Sequence, residues 1–251
     1  MSVFFLFFFS LFFVGFFSFL RRTREKLNLF HNAPKKQNKH LSHVHADHVT
    51  GTSKLREIFA GKKEKTVPRS VVSKPAKVQA EVVFKPDSDA IVFGRFALRP
   101  LATPGHTKGC CSFYLAPDEV AVAVAAAGEE GEGKQQQKTT TTVRRSPGMV
   151  FSGDALLIRG CGRTDFQGGS SEELFRLVRE KLFRLPDDTF VYPAHDYKGM
   201  TSSTIDEEKK SNPRLGVDKT KQEFVGIRSS LNLPEPKKIN EAVPLNLKCG
   251  V

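Results

Sequence analysis

The sequence predicts an α+β domain built around a metal site, on three observations. Short runs rich in Val, Ile and Phe at Val67–Val72, Val78–Phe84, Ala90–Leu101 and Ser112–Leu115, punctuated by Pro and Gly, have the composition of strands with tight connections. Beyond Ser170, apolar residues recur at helical spacing behind Ser and Thr caps, so helices dominate where strands thin out. Third, Ser42–His48 packs His43, His45, Asp47 and His48 into six positions, a density of metal-competent side chains that a set of ordinary surface histidines does not produce.

Taken in order, residues 1–20 contain ten phenylalanines and no charge, and Arg21 and Arg22 follow at once. The run is long enough to cross a bilayer as a helix. It lacks the basic opening and small-residue end of a secretory signal, and the arginines and amphipathicity of a transit peptide. A membrane anchor and an aberrant start are the two readings it leaves. Residues 21–41 are polar and basic, without apolar periodicity, and read as a linker. One folded domain is then expected over residues 42–251. Thr52–Ala60 sets Leu55, Ile58 and Phe59 at helical spacing before Gly61, with Thr52 or Ser53 as cap. The segment at about 117–147, an Ala/Val tract followed by Gly/Glu, Gln and Thr repeats, cannot bury enough apolar surface to order itself and reads as a disordered insertion. The fold resumes with a strand at Met149–Phe151. Ser170 with Glu173 forms a capping box before the stripe Leu174, Leu177, Val178 and Leu182. Thr189–Tyr192 is a further strand, and Thr220 with Glu223 caps a last helix ahead of a Pro-rich tail.

Charge and cysteines exclude two classes. The chain carries a formal +12, but seven Lys/Arg against Glu25 alone within residues 21–40 account for +6 of it, and the rest is only mildly basic. No basic face interleaved with aromatics follows, so nucleic acid is not a partner. Cys110, Cys111, Cys161 and Cys249 include no C-x-x-C pair, and they read as reduced thiols in a non-oxidising compartment.

Three further ligand candidates each end a strand: His106 in Thr-Pro-Gly-His-Thr, Asp154 in Phe-Ser-Gly-Asp-Ala and His195 in Tyr-Pro-Ala-His-Asp. Gly and Pro beside each turn the backbone sharply, which is how loops aim side chains at one place. Alone, each has an ordinary reading as turn residue, helix cap or core histidine; the set does not.

In this order the motifs resemble the metallo-β-lactamase superfamily, whose fold is an αββα sandwich. Gly160-Cys161-Gly162-Arg163-Thr164-Asp165-Phe166-Gln167-Gly168, with Asn232–Pro236 and Cys249-Gly250, is similar to the persulfide dioxygenases, relatives of glyoxalase II. The likeness covers about residues 42–116 and 148–251. It implies one Fe(II) held by His43, His106 and Asp154, a two-histidine, one-carboxylate face with open positions. His45, Asp47, His48 and His195 would orient ligands and substrate. In the dinuclear hydrolases of the superfamily these same positions hold metal, so zinc or a metal pair stays open. The implied substrates are glutathione persulfide and O2, with sulfite and glutathione as products. Arg163 is the expected contact to the anionic glutathione, with a structural salt bridge as its alternative, and Tyr197 a second contact. Cys161 reads as a packed thiol. Rival functions are a glyoxalase II-like thioesterase and a truncated, inactive homologue. The family's N-terminal strands are expected to be missing or replaced, since Asn38–Leu41 stands where an apolar strand belongs. The resemblance implies a mitochondrial location; a homodimer is left open.

Overall fold

The computed structural model describes residues 38–41, 44–60, 69–87, 90–93, 96–125 and 139–250. The Phe-rich segment, residues 21–37 of the linker, His43, Gly61 and the centre of the insertion at 126–138 lie outside them. Among the described residues no helix is long and apolar enough to cross a membrane.

Two sheets face each other, each backed by helices. The first holds β1 (Asn38–Leu41), β2 (Arg69–Ser73) and β3 (Val82–Phe84), all parallel in the order β1-β2-β3. Parallel neighbours need a crossover, and helix α1 (Thr52–Ala60) lies in the connection from β1 to β2. The second sheet adds β4 (Ile91–Phe93), β5 (Phe96–Ala102), β6 (Cys111–Leu115), β9 (Met149–Gly153), β10 (Phe190–Pro193) and β11 (Ser203–Thr204), in the order β11-β10-β9-β6-β5-β4. Only β9 and β10 run parallel there. Between β6 and β9 the chain makes a separate two-stranded hairpin, β7 (Asp118–Ala125) with β8 (Thr139–Ser146).

Period-two alternation assigns each side chain to a layer. Val71 and Phe84 of the first sheet meet Phe113, Met149, Phe151 and Tyr192 of the second across the interior, where the rings of Phe84 and Phe113 pack edge to face at 5.9 Å. Their neighbours in sequence point the other way. Tyr114, Val150 and Val191 face α2 (Ser171–Leu177) with its π-helical continuation Val178–Leu182, α3 (Ile205–Ser211) and α4 (Lys221–Ser229), whose Leu174, Leu182, Ile205 and Phe224 close that layer. On the opposite outer face Val72 packs with Ala76, Val78 and Cys249, against Val243 of α5 (Ile239–Leu247). Helix, sheet, sheet, helix is the predicted sandwich.

Five elements depart from the sequence reading. Asn38–Leu41, read as the end of a linker in place of a missing strand, is β1, because parallel pairing with Arg69–Val72 satisfies its backbone whatever its side chains. The ends of the insertion, read as disordered, pair over eight residues as β7 and β8, since alternating Val/Ala and a Thr run are both strand-competent. Helix α3 went unread, although Thr204 accepts from the Glu207 N–H as a cap. The Pro-rich tail contains α5, with Pro244 inside it. The Thr220–Glu223 capping box is complete, and Ser170 caps α2 by accepting from the Glu173 N–H.

Candidate metal centre

The site forms at the carboxyl ends of the strands, where a parallel arrangement delivers its loops. β9 and β10 end side by side, Pro193 opposite Gly153, and the Ala194 N–H donates to the Gly153 carbonyl at 3.0 Å. Asp154 and His195 therefore emerge together: His195 Nδ1 lies 2.7 Å from Asp154 Oδ1, and its Nε2 3.0 Å from Asp47 Oδ2. Both acceptors are carboxylates, so both ring nitrogens donate. Burial alone would lower the pKa of His195, but the bonds to Asp154 and Asp47 outweigh it and raise it to about 10. Asp47 responds inversely: burial pushes its carboxyl up, and the bonds from His195 and His48 hold it far below the usual range.

His106 reaches the same carboxylate from β5's side, with Nε2 3.4 Å from Asp154 Oδ2. Its Nδ1 donates to the Arg163 carbonyl at 2.6 Å. That bond settles the tautomer and puts the ring's lone pair on Nε2, the atom that faces Asp154, the arrangement typical of a metal-binding histidine. Two glycines make the approach feasible. Gly105 has φ +133°, and a Cβ there would sit 2.5 Å from that of Leu174. A Cβ on Gly162 would sit 2.6 Å from the Asp154 carbonyl and 3.0 Å from His106 Cγ.

His45, Asp47 and His48 each offer a ligand atom within 4.8 Å of the others. Their loop is held from the far end of the chain: buried Asn246 of α5 donates to the carbonyls of His45 (2.9 Å) and His48 (2.8 Å) and accepts from the Thr50 N–H (2.7 Å). The loop after Asp154 is anchored likewise. Fully buried Glu208 of α3 accepts from the Arg159 N–H and guanidinium at 2.9 and 2.5 Å, and Asn212 donates to the Gly160 carbonyl. Imidazoles and carboxylates in mutual contact fit a divalent transition metal. Of the predicted triad, His106 and Asp154 adjoin and His43 lies outside the described residues.

A cavity of about 540 Å³ opens onto these groups, with Asp47, His106, Asp154 and His195 on one side and Arg214 and Arg228 among its other lining residues. Tyr197, 77% exposed, stacks flat on His195 at its rim. Arg163, the expected contact to glutathione, lines the same cavity. Its fork is engaged bidentately by Asp165 at 2.8 and 2.6 Å, and it also donates to the carbonyls of Pro234 and Leu233. Its backbone carbonyl accepts from His106 Nδ1. Cys161 is buried, and burial raises its thiol pKa. Asn246, Glu208 and Arg228 went unread; a lone Asn, Glu or Arg in a helix carries no signal until the fold brings distant loops to it.

The layers and the strand-end site define a metal-binding enzyme of the metallo-β-lactamase fold. A metallo-β-lactamase structure from Staphylococcus aureus shares that fold at TM-score 0.62 and 21% identity, covering 92% of this chain and 61% of its own. No protein-family model matches the sequence. The chain is 44% identical over 210 residues to "Persulfide dioxygenase ETHE1, mitochondrial" of Homo sapiens, which spans 84% of this chain and 68% of the human protein. The crystal structure of ETHE1 from Myxococcus xanthus superposes at TM-score 0.67 with 35% identity, over 93% of this chain and 85% of that one. The chain belongs to the persulfide dioxygenase family.

Proposed function

We propose that the chain holds one Fe(II) through His43, His106 and Asp154 and oxidises glutathione persulfide: GSSH + O2 + H2O gives GSH and sulfurous acid, ionised to sulfite. The observation that carries the reading is His106, whose Nδ1 is committed to the Arg163 carbonyl while its Nε2 stands 3.4 Å from Asp154. Fe(II) on two imidazoles and a carboxylate supplies open positions where a persulfide sulfur and O2 can meet. The chain's own groups do the rest. His195 orients the Asp154 carboxylate and shares protons between it and Asp47. His45 and His48, pinned by Asn246, keep Asp47 in place. Tyr197 shields the outer face of His195. The mitochondrial human relative supports the same location for this chain.

The His45–Asp47–His48 cluster favours a second reading, a dinuclear zinc thioesterase related to glyoxalase II. Metal analysis with oxygen uptake separates the two. The dioxygenase reading expects one iron per chain and O2 consumption matched by sulfite. Two zinc ions with thioester hydrolysis and no O2 uptake would contradict it.

A further inference from the structure

The established family accounts for the histidines and carboxylates, but not for Arg228. It lies in the last turn of α4, is 8% exposed, and lines the same cavity as His106 and Asp154. Its Nε has no hydrogen-bond partner, and it forms no ion pair among the described residues. A cation this buried without a counter-ion is costly, and natural proteins otherwise pair it. The surroundings increase the cost. Burial first, and the charges of Arg214 and Arg163, work against its protonated form. Cys161 and then Asp165 act in its favour, but burial raises the Cys161 thiol pKa and so works against its thiolate, and both Asp165 oxygens already accept from Arg163. Arg214 lines the same cavity, and no described carboxylate pairs with it either. The wall therefore presents unbalanced positive charge to a space that also opens onto the metal-competent groups.

We propose that Arg228 is a specificity-determining residue that receives a carboxylate of the thiol carrier whose sulfur is oxidised. The proposal rests on the function given above in taking that carrier to be glutathione, which has two carboxylates. A guanidinium facing a desolvated cavity suits a carboxylate because its planar fork matches both oxygens. Arg228 would then hold the carrier's anionic part at its end of the cavity while the sulfur lies toward His106 and Asp154.

Calorimetry on the iron-loaded chain under anaerobic conditions tests this with reduced glutathione, its diethyl ester and sulfite as probes. Wild type should bind glutathione roughly ten- to a hundredfold more tightly than the ester. Arg228→Met should bind both as weakly as wild type binds the ester. Should Arg228→Met fail to fold, Arg228→Gln keeps the polar stem without the charge and should show the same loss of discrimination. A structural role predicts equal weakening for acid and ester, and that outcome overturns the assignment. So does a variant that still discriminates, a wild type that never does, or a variant that loses sulfite binding alone, which would make the anion the product. Oxygen uptake separates the two claims. Discrimination without persulfide-dependent O2 uptake sinks the dioxygenase reading and leaves Arg228 as a carboxylate site; uptake without discrimination sinks Arg228 alone.

Discussion

At the scale of single residues, most of the site is held by groups that never meet the reacting atoms. Asn246 makes three hydrogen bonds to the histidine loop from nearly two hundred residues away. Asn246→Ala leaves those backbone groups unpaired; it should cost about 1–3 kcal/mol of stability and weaken metal binding roughly ten- to a hundredfold. Denaturant unfolding with competitive chelation checks both. Unchanged affinity would show that the loop holds its shape unaided. The cysteines give an opposite expectation. Burial pushes Cys110 up to about 12 and also raises Cys111, Cys161 and Cys249, so almost no thiolate exists at pH 8. Iodoacetamide should label none of the four in the native protein and all of them in denaturant, read by mass spectrometry. His106, Asp154 and His195 were legible in sequence because Gly and Pro mark the strand ends that carry them. Asn246 was not, because its partners are backbone atoms that only the folded chain brings near.

At the scale of elements, the strands of the second sheet were readable because alternating burial demands β-branched and aromatic residues in short runs. Two elements were hidden by composition. β1 is polar and gains its place from pairing with β2, a tertiary effect that local pattern does not record. Helix α5 carries Pro244 in its interior, which as sequence reads as a stop. The β7–β8 hairpin is an excursion from two strands that are already neighbours, with Leu115 opposite Met149. Replacing Asp118–Ser146 by a short turn should therefore leave iron content unchanged. Metal analysis of the purified deletion decides it, and loss of iron would show that the hairpin supports the site.

At the scale of the whole molecule, the site draws together groups from the loop after β1, the loop after β5, the ends of β9 and β10, and α5. A ligand that joins such distant segments stabilises the sandwich as a unit. Stripping metal should lower the unfolding transition by about 2.7 kcal/mol at a hundredfold excess of free metal over Kd. Differential scanning calorimetry, with and without chelator, reads the change. No shift would mean that the metal-competent groups do not share an ion across the sheets. The αββα layering was reachable from the motifs, but which face each residue takes follows only from the register of β6, β9 and β10.

Two imidazoles and one carboxylate, His43, His106 and Asp154, gripping a single ferrous ion is the claim on which the rest stands. Anaerobic titration with Fe(II) tests it most directly. Wild type should take up one tight equivalent, and His43→Ala, His106→Ala and Asp154→Ala should each abolish it while remaining folded by circular dichroism. Tight uptake surviving in any of the three, or vanishing only with His45 or His48, would place the metal elsewhere and contradict the account.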